Sequence, residues 1–210
     1  MKIAMIGAGN VGRTLGLAFA RCGHEVTFGV RDRSSPKVAE MLAAASGCVS
    51  VSDVAAAARQ AEVIALATPW TAAEGAVRAA GNLSGKVILD CTNPLKEDLS
   101  GLAVGDTTSG AELVASWAMG SRVVKVFNTI GYENMADPSF GSQAATMLMA
   151  GDDEEAKLVA AQLSREIGFA PVDVGPLADA RLLESLALLW IVLAVKRGHG
   201  TRIAFQLLRK

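Results

Sequence analysis

Short apolar runs alternate along the chain with longer segments whose apolar residues recur every three to four positions. The runs Lys2–Ile6, Glu25–Val30, Val63–Ala67, Lys86–Asp90 and Arg122–Phe127 are rich in aliphatic and β-branched residues and bounded by turn formers, which predicts buried strands. Val49–Val51 predicts a further short strand. Between them, Val11–Arg21, Ser35–Ala45, Asp53–Gln60, Thr71–Ala80 and Ala111–Ala118 carry helical spacing with little to break it. Strands separated by helices need crossovers, so the pattern predicts an α/β fold, a Rossmann-type doubly wound parallel sheet with helices on both faces. A second, smaller α/β block follows. Thr146–Ala150 and Val172–Val174 predict strands, Gly151-Asp152-Asp153 caps a helix running to Ile167, and Gly175-Pro176 leads into a long apolar helix from Leu177 to Arg197. The expected division is a dinucleotide-binding domain over 1–145 and a small domain over 146–210 that closes the second ligand's site.

The first strand runs directly into Gly7-x-Gly9-x-x-Gly12, which opens a helix. In that setting the first glycine makes the turn, the second lets the backbone approach a pyrophosphate, and the third lets helix pack on strand. Free N–H groups at the helix start would face the phosphates, with Asn10 and Val11 beside them. At the end of the second strand an NAD-dependent protein usually places an acid to hold the ribose hydroxyls. That position falls on Val30, and Arg31 follows it with Arg33 and Lys37 nearby. A guanidinium there pairs bidentately with a 2′-phosphate, so NADP is the expected cofactor. Asp32 is the competing candidate, as a ribose ligand for NAD. Asn93, in the Asn93-Pro94 step after the fifth strand, is a further candidate contact near the nicotinamide ribose.

Composition narrows the chemistry. Of 210 residues, 51% are hydrophobic and 20% charged, which predicts a large core, and a net charge of −1 gives no reason to expect a nucleic-acid or membrane partner. Cys22, Cys48 and Cys91 are odd in number and far apart, which suits a reducing cytosol and a cytoplasmic protein. Neither His24 nor His199 lies near a cysteine, so no metal site is expected. His24 reads as a surface turn residue. The longest apolar run, Leu186–Val195, is about half a membrane span. Reduction of a carbonyl would need a proton donor, yet the chain has one tyrosine, Tyr132, and its second histidine lies near the C-terminus. A flavin-type ring delocalises incoming charge and needs only to be held against the nicotinamide in a dry site. The helix Leu182–Val195 lacks a polar face and is expected in the core, at a subunit interface, or both.

The segments MKIAMIGAGNVGRTLG, Thr68-Pro69-Trp70, VVKVFNTIG at 123–131, AGDD at 150–153 and GPLADARLLESLALLW at 175–190 together resemble the NADPH:F420 oxidoreductase family. The resemblance covers nearly the whole chain. It implies a homodimer in which NADPH passes a hydride to the deazaflavin coenzyme F420. It also implies 2′-phosphate recognition by Arg31, Thr68 and Trp70 beside the nicotinamide with Pro69 between them, and Ile130 beside the deazaflavin. Where deazaflavin-using members carry a histidine, this chain has Asn128. The Phe127-Asn128-Thr129-Ile130 form is also similar to the cytosolic domain of six-transmembrane metalloreductases, which pass electrons from NADPH to FAD. Asn128 is expected to donate a hydrogen bond to a ring carbonyl, with Thr129 and Gly131 shaping a turn that admits a flat ring. FAD, FMN or ferric iron is the alternative acceptor, and a non-catalytic NADP-binding sensor the alternative to an enzyme.

Overall fold

The computed structural model describes all residues except Asp106 and Arg209. Its first six strands are β1 (Lys2–Ile6), β2 (Glu25–Gly29), β3 (Val49–Ser52), β4 (Val63–Leu66), β5 (Val87–Asp90) and β6 (Arg122–Lys125). The helices between them are α1 (Asn10–Arg21), α2 (Pro36–Ala43), α3 (Val54–Gln60), α4 (Trp70–Ala80) and α5 (Gly110–Trp117). These strands are all parallel and lie in the order β3-β2-β1-β4-β5-β6, the doubly wound arrangement whose ligand crevice opens at the carboxyl ends, where the order reverses beside β1. A two-stranded hairpin, β7 (Ser139–Phe140) and β8 (Gln143–Ala144), stands apart. It is too short to leave a periodic pattern, and the sequence does not predict it.

The remaining strands extend the same sheet. β9 (Thr146–Gly151) pairs antiparallel with β6, and β10 (Ala170–Asp173) pairs parallel with β9, joined by α6 (Glu154–Glu166). Residues 146–210 therefore add to the sheet rather than forming a separate one, and residue 146 marks a reversal of strand direction. The core is continuous across it: Phe127 stacks edge-on against Phe19 of α1 and Phe169 before β10. The helix expected over 177–197 is a 3-10 turn at Leu177–Asp179, α7 (Ala180–Ile191) and a closing π-helical turn at Val192–Lys196. It buries Leu183, Ala187, Trp190 and Ala194 and exposes Leu182, Leu189 and Val195.

One charge on that helix, Glu184, corrects its reading as lacking polar character, and it is buried together with two charges from the sheet. Lys125, Asp90 and Glu184 are completely buried. Lys125 Nζ lies 2.7 Å from Asp90 Oδ2 and 2.8 Å from Glu184 Oε1, and it donates to the Thr92 carbonyl at 2.8 Å. The Asp90 approach is an ion pair rather than an aligned hydrogen bond. Asp90 Oδ1 accepts from both the N–H and the hydroxyl of Thr92. Glu184 also accepts from Gly110 N and Ala111 N, placing its charge at the positive end of α5. Burial opposes the Lys125 charge, but the two carboxylates outweigh it and hold its pKa above the ordinary lysine value. A Ser109–Glu112 capping box starts α5, and Arg181 grips Glu112 with two bonds at 2.6 and 2.9 Å.

Two local expectations change for identifiable reasons. β6 ends at Lys125 rather than Phe127 because Phe127 adopts a left-handed backbone (φ 60°), which breaks the ladder and turns the chain towards Asn128. His24 is not a surface residue: it is 6% exposed, and its Nε2 sits 2.6 Å from Glu166 Oε2 on α6.

Lys125→Met would leave two buried carboxylates facing each other. We expect a loss of about 3–5 kcal/mol in unfolding free energy by denaturant titration, the range for breaking a buried pair from one side. A loss below about 1 kcal/mol would show that the cluster is not held as described.

Candidate functional site

The crevice begins at the glycine turn. Gly7 takes φ 108°, and a Cβ there would lie 2.6 Å from the Ala67 carbonyl oxygen at the end of β4. A Cβ on Gly12 would collide with the Gly7 carbonyl, so this position brings helix against turn. Gly9 differs from both: a Cβ there would meet nothing within 4 Å. No protein contact requires glycine at position 9, and the open direction faces the crevice that Gly9 lines. This is the space a pyrophosphate needs.

The crevice has a volume of about 780 Å³ and runs from Gly7 and Gly9 past Thr68 and Pro69 to Val30, Arg31, Asp32, Ser35 and Lys37. Of the expected cofactor contacts, Gly7, Gly9, Arg31, Lys37, Thr68 and Pro69 share this space, and Arg33 does not line it. Asn10 and Val11 form the first turn of α1, and they too lie outside the lining. Arg31 and Lys37 are exposed and make no salt bridge among the described residues. Asp32, the competing ribose ligand, lines the same crevice and holds a local turn. Its Oδ1 accepts from Ser34 N at 2.9 Å and Ser34 Oγ at 2.6 Å, and these bonds hold the carboxyl below its ordinary pKa. The rim of the crevice therefore offers two exposed cations, which fit a 2′-phosphate, beside one carboxylate.

A second cluster lies at the carboxyl ends of β5 and β6. Asn128 Nδ2 donates to Asn93 Oδ1 and to the Leu183 carbonyl, both at 3.1 Å, while Asn93 Nδ2 donates to the Asn128 carbonyl at 2.9 Å. The Leu183 carbonyl can only accept, so the orientation of the Asn128 amide is fixed by its surroundings. Both donors are used, and Asn128 Oδ1 is left buried without a partner. This reverses the expected polarity: the atom Asn128 has to offer is an acceptor. Thr68 Oγ1 is likewise buried and unpartnered, and Thr68 lines the crevice. Buried polar atoms of this kind are usually completed by a ligand or an ordered water.

The other expected contacts are placed differently. Ile130 is 7% exposed and packed in the core, and Thr129 is buried beside it. Gly131 abuts Trp190, whose ring a Cβ would meet at 2.6 Å. Trp70 stacks on Trp117 with ring centroids 5.5 Å apart, against α5 rather than in the crevice. Burial, reinforced by Asp90, pushes the Cys91 thiol far above its ordinary pKa, so it supplies neither a thiolate nor a proton. The Lys125 cluster beneath Asn93 and Asn128 was not foreseen. The signal for it was present, since charged residues inside apolar runs are rarely buried without partners. No described helix is long and apolar enough to cross a membrane.

Comparison with known proteins agrees with this geometry. Residues 2–94 match the family model described as NADP oxidoreductase, coenzyme F420-dependent. The chain is 34% identical to the F420-dependent NADP reductase of Methanothermobacter marburgensis, over 97% of this chain and 98% of that one. It is 30% identical to the metalloreductase STEAP3 of Rattus norvegicus over 89% of this chain, but over 36% of that longer protein. A solved structure from Arthrobacter sp. FB24, described as a candidate F420-dependent NADP reductase, superposes with a TM-score of 0.90 at 32% identity over the whole of both chains. The chain belongs to the family of F420-dependent NADP reductases and is an NADP-dependent oxidoreductase on a Rossmann sheet.

Proposed function

We propose that this oxidoreductase moves a hydride between NADPH and the ring of coenzyme F420, as a homodimer. The observation that carries this is the pairing of a phosphate-ready crevice with two buried polar atoms that lack partners beyond the ends of parallel strands: Thr68 Oγ1, in the crevice after β4, and Asn128 Oδ1, in the second cluster after β6. Relatives matched over their full length support F420 over a flavin. Bound NADPH supplies the hydride. The protein's part is to hold and shield: the glycine turn takes the pyrophosphate, Arg31 and Lys37 take the 2′-phosphate, and Thr68 and Asn128 orient N–H and C=O groups of the rings. Residues 146–210 close this side through α7, whose Leu183 carbonyl holds Asn128. Asn93 orients Asn128, while Trp70, Thr129, Ile130 and Gly131 pack against protein groups away from the adenosine end. Stacked rings exchange a hydride with little demand for a general acid. The exposed Leu182, Leu189 and Val195 of the last helix suit burial against a second copy.

A second reading has its own support. Asn128 and the similarity to STEAP3 favour FAD or FMN, with ferric iron downstream. Parallel assays of NADPH oxidation with F420, FAD, FMN and ferric chelate decide between them. F420 as the fastest acceptor is expected. Preference for FAD or FMN would move the chain to the second reading, and tight NADPH binding without any turnover would leave an NADP-binding sensor.

Arg31→Ala is expected to weaken NADPH binding by about 2–3 kcal/mol, the scale of a charge-assisted bidentate bond, with NADH nearly unaffected. Equal losses for both nucleotides in a fluorescence titration would remove Arg31 from the 2′-phosphate. Gly9→Val, at a position with open space, should fold with an unchanged circular dichroism spectrum and lose dinucleotide binding. Full NADPH affinity in that variant would mean that the turn holds no phosphate.

A further inference from the structure

The buried Lys125 cluster and the Asn93–Asn128 pair are adjacent layers of one polar structure. Thr92, whose carbonyl accepts from Lys125 Nζ, is the residue before Asn93. Leu183, whose carbonyl accepts from Asn128 Nδ2, is the residue before Glu184. Glu184 therefore fixes Asn128 by two routes. Through Lys125 it holds the Thr92 carbonyl and hence Asn93, and through its own place on α7 it holds the Leu183 carbonyl. Its remaining bonds, to Gly110 N and Ala111 N, anchor this turn of α7 against the start of α5.

Stability alone does not explain the arrangement. Two carboxylates and one ammonium sit at zero exposure, and a buried ion pair seldom stabilises a fold more than apolar packing of the same volume. Such groups do fix geometry, because every polar atom requires its partner at one distance and direction. Here the geometry fixed is that of a side chain whose one remaining polar atom, Asn128 Oδ1, is buried without a hydrogen-bond partner.

We infer that Glu184 is a positioning residue for the acceptor site: through Lys125 and the Leu183 carbonyl it holds Asn128 so that Oδ1 is presented to an N–H of the ring pair. The inference rests on the proposal that the ring acceptor docks at Asn128. Glu184 touches neither ligand.

Glu184→Gln keeps the shape and leaves Lys125 paired with Asp90. Two readouts test it, alone and combined with Asn128→Ala. In the ligand-free protein, the side-chain amide protons of Asn128 should exchange with solvent at least about tenfold faster than in wild type, measured by NMR. In turnover with the acceptor that wild type reduces fastest, kcat should fall on the order of tenfold, with the NADPH KM within about twofold. In the Asn128→Ala background, adding Glu184→Gln should cost less than about twofold more, because the group it positions is gone. Should Glu184→Gln not fold, Glu184→Asp, which keeps the charge and withdraws it by one methylene, takes its place with the same readouts. Unchanged Asn128 exchange, or kinetic losses that multiply in the double variant, would overturn the inference. If Asn128→Ala alone leaves ring reduction untouched, the proposed acceptor site fails instead, and the exchange measurement still decides whether Glu184 holds Asn128.

Discussion

One ammonium group organises the carboxyl edge of this sheet. Lys125 sits where water cannot reach it, and an uncompensated charge there would cost several kcal/mol. Two of its three oxygen partners come from the end of β5 and the loop just beyond it, and the third comes from the last helix, far along the chain. Satisfying the charge thus closes the fold: α7 must lie across the ends of β5 and β6, and α5 must start where Glu184 can meet its first N–H groups. The antiparallel strand β9 then covers β6, the strand that carries Lys125. A purely apolar contact would have allowed the last helix to slide or rotate by a residue. A charge with three partners does not.

What the sequence revealed follows the range of the interactions responsible. The order of strands and helices, the glycine turn and the cations after β2 depend on neighbours a few residues apart, and they are as expected within one or two residues at the ends. Asp90, Lys125 and Glu184 are each one charge in an apolar run, and nothing local says that the three meet. His24 was misread for the same reason, since its partner Glu166 lies 142 residues away. The early end of β6 comes from a single left-handed residue, Phe127, that no propensity singles out. The joining of β9 and β10 to the main sheet leaves no local trace either. A strand's own pattern reports how it is buried and not which edge it meets.

The two halves of the site differ in how they are prepared. The nucleotide end is built from backbone: glycines where side chains would collide or would fill the ligand's space, with cations on an exposed rim. Its proposed specificity rests on a few surface side chains, Arg31 and Lys37 beside Asp32, whose Oδ1 accepts from Ser34. The proposed acceptor end is built from buried side chains locked by one another. Little there can relax without disturbing the core, so its polarity is fixed before any ligand arrives. Preorganised dipoles of this kind cost no reorganisation at the moment of reaction.

That fixed polarity bears on the choice of acceptor. A histidine at position 128 could offer either a donor or an acceptor according to its tautomer, and could follow a change of protonation in the ring beside it. Asn128 has no such freedom, because both its N–H donors are used by Asn93 and Leu183. Only Oδ1 is left, and an amide oxygen accepts without titrating. A ring that meets Asn128 through an N–H is favoured at all neutral pH values, whereas one that meets it through a carbonyl would set two acceptors against each other in a dry site. If the ring docks at Asn128 as proposed, this asparagine selects the edge that faces β6 and delivers no proton. What remains for the chain is alignment, a task that rigid amides held by a buried ion cluster perform well.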